Sequence, residues 1–472
     1  MDFGAAVLSE GYGMGHNFSR RNFIKSAALA VPALQAHDAM TSGIRPNIVY
    51  LHSHDSGRYL SPYGHAVPTP NLMRLAKGGI LFRQMHSAAP TCSPSRAALL
   101  TGQSPHQSGM LGLAHLGWSL NDYNQHIIHT LSRYGYRSIL AGIQHVAADP
   151  NTIGYDEILP GPHHSAEDIA PHAVDFLMGQ PKEPFFLDCG FFETHREYPK
   201  PVDAADYILP PSPIPDTETT RYDMAGFHAS ARIMDKGVGM VLDALDKAGL
   251  ASNTLVISTT DHGIAFPEMK CDLRDTGTGV SCIMRGPRVL TGPRVCDMML
   301  SQIDIFPTIC EYLSIPRPAW LTGESFLPVL EGKIGSIHEA IFAEVTYHAA
   351  YEPKRSARTT RYKYIRRFDG RTTAVLPNCD DGLSKAHWMQ HGWKTDPLLT
   401  KEELYDLVFD PNEHRNLAVE PQHAATISSM RALLDDHMQK TKDPILKGPI
   451  PLPPGGREAP VNADSPRAIP QT

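Results

Sequence analysis

Short apolar runs that close on polar clusters mark out the first two thirds of the chain. Residues 45–52 are rich in β-branched positions without clean alternation, the pattern of a strand buried on both faces, and they run straight into Ser53-His54-Asp55-Ser56-Gly57. Residues 69–79 predict a short helix, with Thr69 as cap, Pro70 at the first helical position and a Gly78-Gly79 stop. A strand over 80–86 then delivers the chain to Cys92. Further strands are predicted over 138–142, 184–192 and 254–260, ending at Ile143-Gln144-His145, Glu193-Thr194-His195-Arg196 and Asp261-His262-Gly263. Helices are predicted over 126–134, 166–178 and 222–248, the last with Met224, Phe227, Ile233, Met234, Val238, Val241 and Leu242 as its apolar stripe. Repeated strand, polar turn and helix units imply an α/β fold with a largely parallel central sheet flanked by helices.

A different pattern starts near Ile334. Strands over 340–347 and 361–367 followed by a helix over 422–440 predict a smaller C-terminal α+β domain, so the expected division is a catalytic domain over 45–333 and a second domain over 334–442. The tail over 443–472 is rich in proline and is expected either to wrap the surface or to be disordered. No internal repeat is present.

In open α/β sheets, ligands collect beyond the carboxyl ends of the strands. Four predicted strand ends carry His54-Asp55, His145, His195-Arg196 and Asp261-His262. One histidine in a turn is usually only a satisfied polar residue; recurrence at the ends of strands in one sheet points to a shared site. Asp55 and Asp261 can bind a divalent metal, with His54 and His262 completing the cage.

The stretch Cys92-Ser93-Pro94-Ser95-Arg96 places a thiol, two hydroxyls and a guanidinium within five residues, followed by Ala-Ala-Leu-Leu and a Thr101-Gly102 stop. A nucleophile there sits at a helix N-terminus, where unpaired N–H groups favour an anionic ester, with Arg96 one turn away. The same residues also fit an ordinary helix start around a buried cysteine, with Pro94 near the first position and Ser93 or Ser95 capping.

Composition limits the alternatives. The 472 residues, 42% hydrophobic and 20% charged, fit a soluble globular protein with a large core. The net charge of −7 speaks against nucleic acid as partner, so an anionic substrate must be held by a local cluster. Seven cysteines lack paired metal-ligand spacing, and their odd number argues against a full disulfide framework. Ser19-Arg20-Arg21 before a short, weakly apolar run ending near Ala33 resembles a twin-arginine export signal, assigned to 1–39; the run is too short to span a bilayer. It implies a protein exported, by the twin-arginine machinery, to the periplasm or exterior of a bacterium.

Cys-x-Pro-Ser-Arg with the following Leu-Thr-Gly resembles the signature of the sulfatase family, in which a formylglycine-generating enzyme oxidises the cysteine to formylglycine. As a hydrate, that aldehyde offers one hydroxyl to attack sulfur and keeps a second to expel sulfate. Residues 92–112, 191–199, 261–267, 303–313 and 403–418 are similar to the heparan N-sulfatase (N-sulfoglucosamine sulfohydrolase) branch. The resemblance implies the alkaline-phosphatase-like fold and an oligosaccharide sulfate ester or sulfamate as substrate. By position, Arg96 stabilises the hydrated aldehyde, His145 assists its hydroxyls, His195 contacts sulfate or protonates the leaving group, and Lys270 binds sulfate oxygens. The candidate metal set is His54, Asp55, Cys92, Asp261 and His262.

Three departures bear on that carry-over. The family usually has an acid at position 54 and an asparagine at 262, an oxygen cage suited to calcium; two histidines make the site softer and favour manganese, zinc or iron. Phosphonate monoester hydrolases of the same superfamily also place a histidine beside the last metal aspartate, which keeps a phosphonate or phosphodiester hydrolase as an alternative. Ile143 stands where the family has a sulfate-binding lysine, a loss that Arg196 or Lys270 would have to offset. A third alternative is an inactive sugar-sulfate binding protein in which Cys92 stays a thiol. Specificity is expected from 106–121 and from 347–358.

Overall fold

The computed structural model describes residues 45–161 and 165–470. The expected export signal over 1–39 lies outside the described residues. Eight strands form the central sheet: β1 (Asn47–Ser53), β2 (Ile80–His86), β3 (Arg137–Gly142), β4 (Glu157–Ile158), β5 (Phe185–Gly190), β6 (Thr254–Thr260), β7 (Cys282–Arg285) and β8 (Arg294–Ser301). Their order is β4-β3-β5-β1-β6-β7-β2-β8, and every neighbouring pair is parallel except the two made by β7.

The absence of polar alternation in β1 has a direct cause. Ile48 and Tyr50 face one apolar layer with Phe82, Phe186 and Ile257, while Val49 and Leu51 face another with Leu187 and Val256. Helices cover both faces, as parallel sheets require. The helices Cys92–Thr101 and Ile305–Tyr312 lie on the first side, and Pro70–Gly78, Ala166–Met178 and Glu218–Lys247 on the second. β1 sits mid-sheet between β5 and β6, so the segments after these three strands emerge side by side at one edge.

The second sheet is antiparallel, in the order β12-β11-β10-β9, from β9 (Ile341–Tyr347), β10 (Tyr351–Arg358), β11 (Tyr362–Arg367) and β12 (Glu402–Asp406); the helix Ala424–Thr441 packs on it. The described residues group as one compact unit. β10 falls within the stretch expected to hold specificity loops, and it is an inner strand instead. Its sequence, Tyr-Glu-Pro-Lys-Arg-Ser-Ala-Arg, conceals this because its buried positions are ion-paired rather than apolar. Lys354 pairs with Glu352 at 2.9 Å, Arg355 with Asp443 at 2.6 Å and Arg358 with Asp275 at 2.8 Å. His106, also within an expected specificity loop, turns its ring inward onto Glu344.

Residues 444–470 wrap the surface in largely extended form, with short helical turns at Pro444–Lys447 and Pro466–Ala468. No helix among the described residues is long and apolar enough to cross a membrane.

Candidate active site

The helix Cys92–Thr101 begins one residue after Thr91, whose backbone is extended, and stops at Gly102, which takes the left-handed conformation (φ 65°). Neither serine of the motif caps it. Ser93 Oγ accepts from the Ala114 N–H at 3.0 Å, and Ser95 Oγ donates to the Asp261 carbonyl at 2.6 Å. The hydroxyls therefore tie the helix start to a neighbouring loop and to the end of β6, fixing Cys92 against the sheet edge.

Four candidate ligands meet there. One ligand atom from each of Asp55, Cys92, Asp261 and His262 lies within 4.8 Å of the others, and all four residues are buried. His262 Nδ1–H donates to the Gly263 carbonyl at 2.9 Å, which leaves Nε2 as a lone pair. That nitrogen stands 3.3 Å from Cys92 Sγ, 3.4 Å from Asp55 Oδ1 and 3.6 Å from Asp261 Oδ2. Asp55 Oδ1 is buried without a hydrogen-bond partner. An orphaned carboxylate oxygen facing an imidazole lone pair, whose other nitrogen is fixed on a carbonyl, is a donor set that fits a divalent cation. Asp55 reaches it with φ 51° in the left-handed region, uncommon for a non-glycine residue and typical of functional turns.

Asp261 is held by several groups at once. Its Oδ1 accepts from the backbone N–H of Asp55 (2.9 Å) and of His262 (3.0 Å), and its Oδ2 from Arg96 Nη2 (2.9 Å). Burial pushes its pKa up, but the Arg96 guanidinium and the backbone N–H donors outweigh it and hold the carboxyl well below the usual range. Arg96 also donates to the Ser53 carbonyl at 2.8 Å and to His52 Nδ1. Because that nitrogen accepts, His52 carries its proton on Nε2 and donates to Asp188 at 2.7 Å; Tyr155 donates to the other Asp188 oxygen. Gly190 makes room for this: a Cβ there would lie 2.3 Å from the His52 ring. Three of the Arg96 contacts are thus structural, and its buried Nε has no partner.

Lys270 joins the two sheets' contributions. Its ammonium donates to Asp55 Oδ2 (2.9 Å), Asp380 Oδ2 (2.7 Å) and His195 Nε2 (3.2 Å). His195 Nδ1–H donates to the Arg196 carbonyl at 2.6 Å, so its Nε2 is the acceptor for lysine. Burial lowers the Lys270 pKa, yet Asp380 and Asp55 dominate and raise it well above its ordinary value. His145 lies 3.0 Å from His115 through their ring nitrogens, with burial and His115 pushing its pKa well down.

Two expected placements call for detail. His54, assigned to the metal cage, is not one of the four residues of that group, although its Nε2 is left as a lone pair like that of His262. Its Nδ1–H donates to the Phe191 carbonyl at 3.0 Å, and its ring centroid lies 6.0 Å from that of His145 and 6.2 Å from that of His195. Arg196 is not free for an anion: both terminal nitrogens bind Asp223 at 2.7 Å, Nε binds the Ala265 carbonyl, and the guanidinium lies over Tyr198 and Phe266.

A sulfatase family model matches residues 46–315. The chain belongs to the sulfatase family. It is 29% identical over 463 residues to N-sulphoglucosamine sulphohydrolase of Homo sapiens, covering 85% of this chain and 92% of that protein. It is 29% identical over 442 residues to an ulvan-active sulfatase of Formosa agariphila, covering 90% and 86%. Its fold matches the crystal structure of a putative sulfatase from Bacteroides thetaiotaomicron with a TM-score of 0.69 at 22% identity, covering 90% of this chain and 99% of that one. Membership places its chemistry among the sulfuric ester hydrolases.

In this sulfatase the C-terminal sheet region brings to the candidate site polar residues that sequence reasoning missed. Asp380 accepts from Lys270 and lies in the segment that connects β11 to β12, in Asn378-Cys379-Asp380-Asp381, a polar turn with no strand directly before it. Burial raises its pKa, but Lys270 and His195 hold it well below the carboxylate range. His348 is buried with its pKa well down through burial and Lys270, and its Nδ1 has no partner. It follows β9 directly, so the strand-end rule that found His54 and His262 would have found it too.

Proposed function

We propose that this sulfatase hydrolyses a sulfate ester or N-sulfamate of a carbohydrate at Cys92, matured to formylglycine by a formylglycine-generating enzyme, with one divalent cation held by Asp55, Asp261 and His262. The observation that carries the reading is the convergence of Cys92 with an orphaned Asp55 oxygen and an unprotonated His262 nitrogen. The carbohydrate part rests on the relative named for N-sulphoglucosamine. When present, the hydrated aldehyde supplies the attacking and the releasing hydroxyl, and the cation polarises a sulfuryl oxygen.

The chain's own residues do the rest. Lys270 is the cation beside the site, and it meets the sulfate oxygens by exchanging one of its bonds to Asp55, Asp380 or His195 for one to the anion, while Arg196 stays held on Asp223 by two hydrogen bonds. His195 Nε2 lies beside that ammonium and can deliver a proton to the leaving group once it has taken one up and parted from lysine. His145, backed by His115, is the group nearest in role to a base for the Cys92-derived hydroxyls. Arg96, locked by His52 and Asp188, keeps Asp261 ionised and in place. Arg20-Arg21 directs the folded protein through the twin-arginine machinery to the periplasm or beyond.

Rates on an aryl sulfate, N-sulfoglucosamine and an aryl phosphonate test the reading. Sulfate or sulfamate release is expected to be the faster; faster phosphonate turnover overturns it in favour of the phosphonate hydrolase. The imidazole at 262 makes a second expectation: His262→Asn shifts bound-metal content toward calcium, because an amide oxygen replaces a nitrogen donor. Metal analysis after dialysis against mixed ions checks this, and an unchanged metal profile places His262 outside the coordination sphere.

A further inference from the structure

Residues 455–470 lie against several of the segments that carry site residues. Arg457 N–H donates to the Leu116 carbonyl at 3.0 Å and its guanidinium to the His115 carbonyl at 3.3 Å, behind the ring that meets His145. Ala459 N–H donates to the carbonyl of Ala349, next to His348, at 2.6 Å. Ser465 Oγ donates to Asp381, next to Asp380, and Arg467 pairs with Glu197, two residues beyond His195. Ile469 packs against the small apolar cluster of Cys92, Leu113 and Leu116.

The two ends of this segment are held very differently. Around 457–459 the anchors are backbone hydrogen bonds, and Ala459 is completely buried. Around 464–467 they are largely surface ion pairs: Arg467 and Glu197 are 71% and 80% exposed, Lys394 and Asp464 50% and 49%. Exposed pairs of this kind contribute little and are screened by salt. A segment fixed at one end and weakly held at the other opens locally without unfolding the protein.

We propose that residues 455–470 are a strap hinged at 457–459 and releasable beyond 463, with Ile469 as the plug that selects substrates by the size of the group next to the sulfate. A small group enters beside Ile469; a large one needs the strap to lift. The proposal rests on Cys92 as the reacting position, and its first test does not require catalysis. Protein made without a formylglycine-generating enzyme keeps Cys92 as a thiol, and its alkylation by iodoacetamide is followed by the mass of the tryptic peptide spanning residues 84–96.

In Arg467→Glu, which repels Glu197 and Asp381, and in a chain ending at Ala463, alkylation is expected to speed up by about tenfold or more, as the open population rises. Arg467 is exposed, so its variant keeps the test valid where the shortened chain does not fold. Alkylation as slow as in the unaltered protein, in a variant that melts like it, overturns the strap. In matured protein the ratio of kcat/KM for a sulfated disaccharide over nitrophenyl sulfate should rise in the same variants; an unchanged ratio overturns the size selection. If no sulfate is released from either substrate, the proposed function fails, while the alkylation rates still decide the strap.

Discussion

Cys92→Ala is expected to lower kcat/KM on a sulfated substrate by at least about 10,000-fold, the scale on which removing a nucleophile acts, while the melting temperature stays within a few degrees of the unaltered protein. The side chain is buried, but its one polar contact is the 3.3 Å approach to His262, and the helix is held by Ser93, Ser95 and the apolar face of Ala97, Leu99 and Leu100. Losing one small thiol from that setting costs about 1 kcal/mol. Rate measurement beside a thermal melt separates the two readings of this residue. Retained turnover with a large drop in melting temperature would make Cys92 a packing residue.

Asp261→Ala should fail on both counts. The carboxylate neutralises Arg96 across 2.9 Å with both groups almost wholly buried, so its removal strands a guanidinium and two backbone N–H groups. Breaking one side of such a pair costs about 3–5 kcal/mol. It also deletes a metal-site oxygen, and turnover should vanish with it. The sign with pH follows from the depressed carboxyl pKa: the stabilisation is present above the ordinary carboxylate range and is lost as pH falls through and below it. Chemical denaturation of Asp261→Ala at neutral pH checks this, and a midpoint equal to that of the unaltered protein would contradict the role given to the Arg96–Asp261 pair.

Much of the site was legible because its residues follow strands whose burial shows in the sequence. β1, β5 and β6 each carry a short apolar run, Ile48 to Leu51, Phe185 to Leu187 and Leu255 to Ile257, and Asp55, His195, Asp261 and His262 follow them. The Cys92 motif carried its helix in its own Ala-Ala-Leu-Leu and Gly102. The second sheet was harder to read, since β10 is built on buried ion pairs and has no apolar alternation. β7, at four residues, is too short to show a period. Asp380 depends on a contact between positions 110 residues apart. His54 was assigned to the cage by its place beside Asp55 at a strand end, where the family has an acid. Its Nδ1–H is fixed on the Phe191 carbonyl, 137 residues away, a contact that the sequence does not announce.

The central claim is that Cys92 becomes an aldehyde, and the most direct measurement is the mass of the tryptic peptide spanning residues 84–96 from protein coexpressed with a formylglycine-generating enzyme. The account predicts a deficit matching aldehyde for thiol, with the same peptide captured by a hydrazide. An intact thiol under those conditions would contradict it and leave a sugar-sulfate binding protein as the better description.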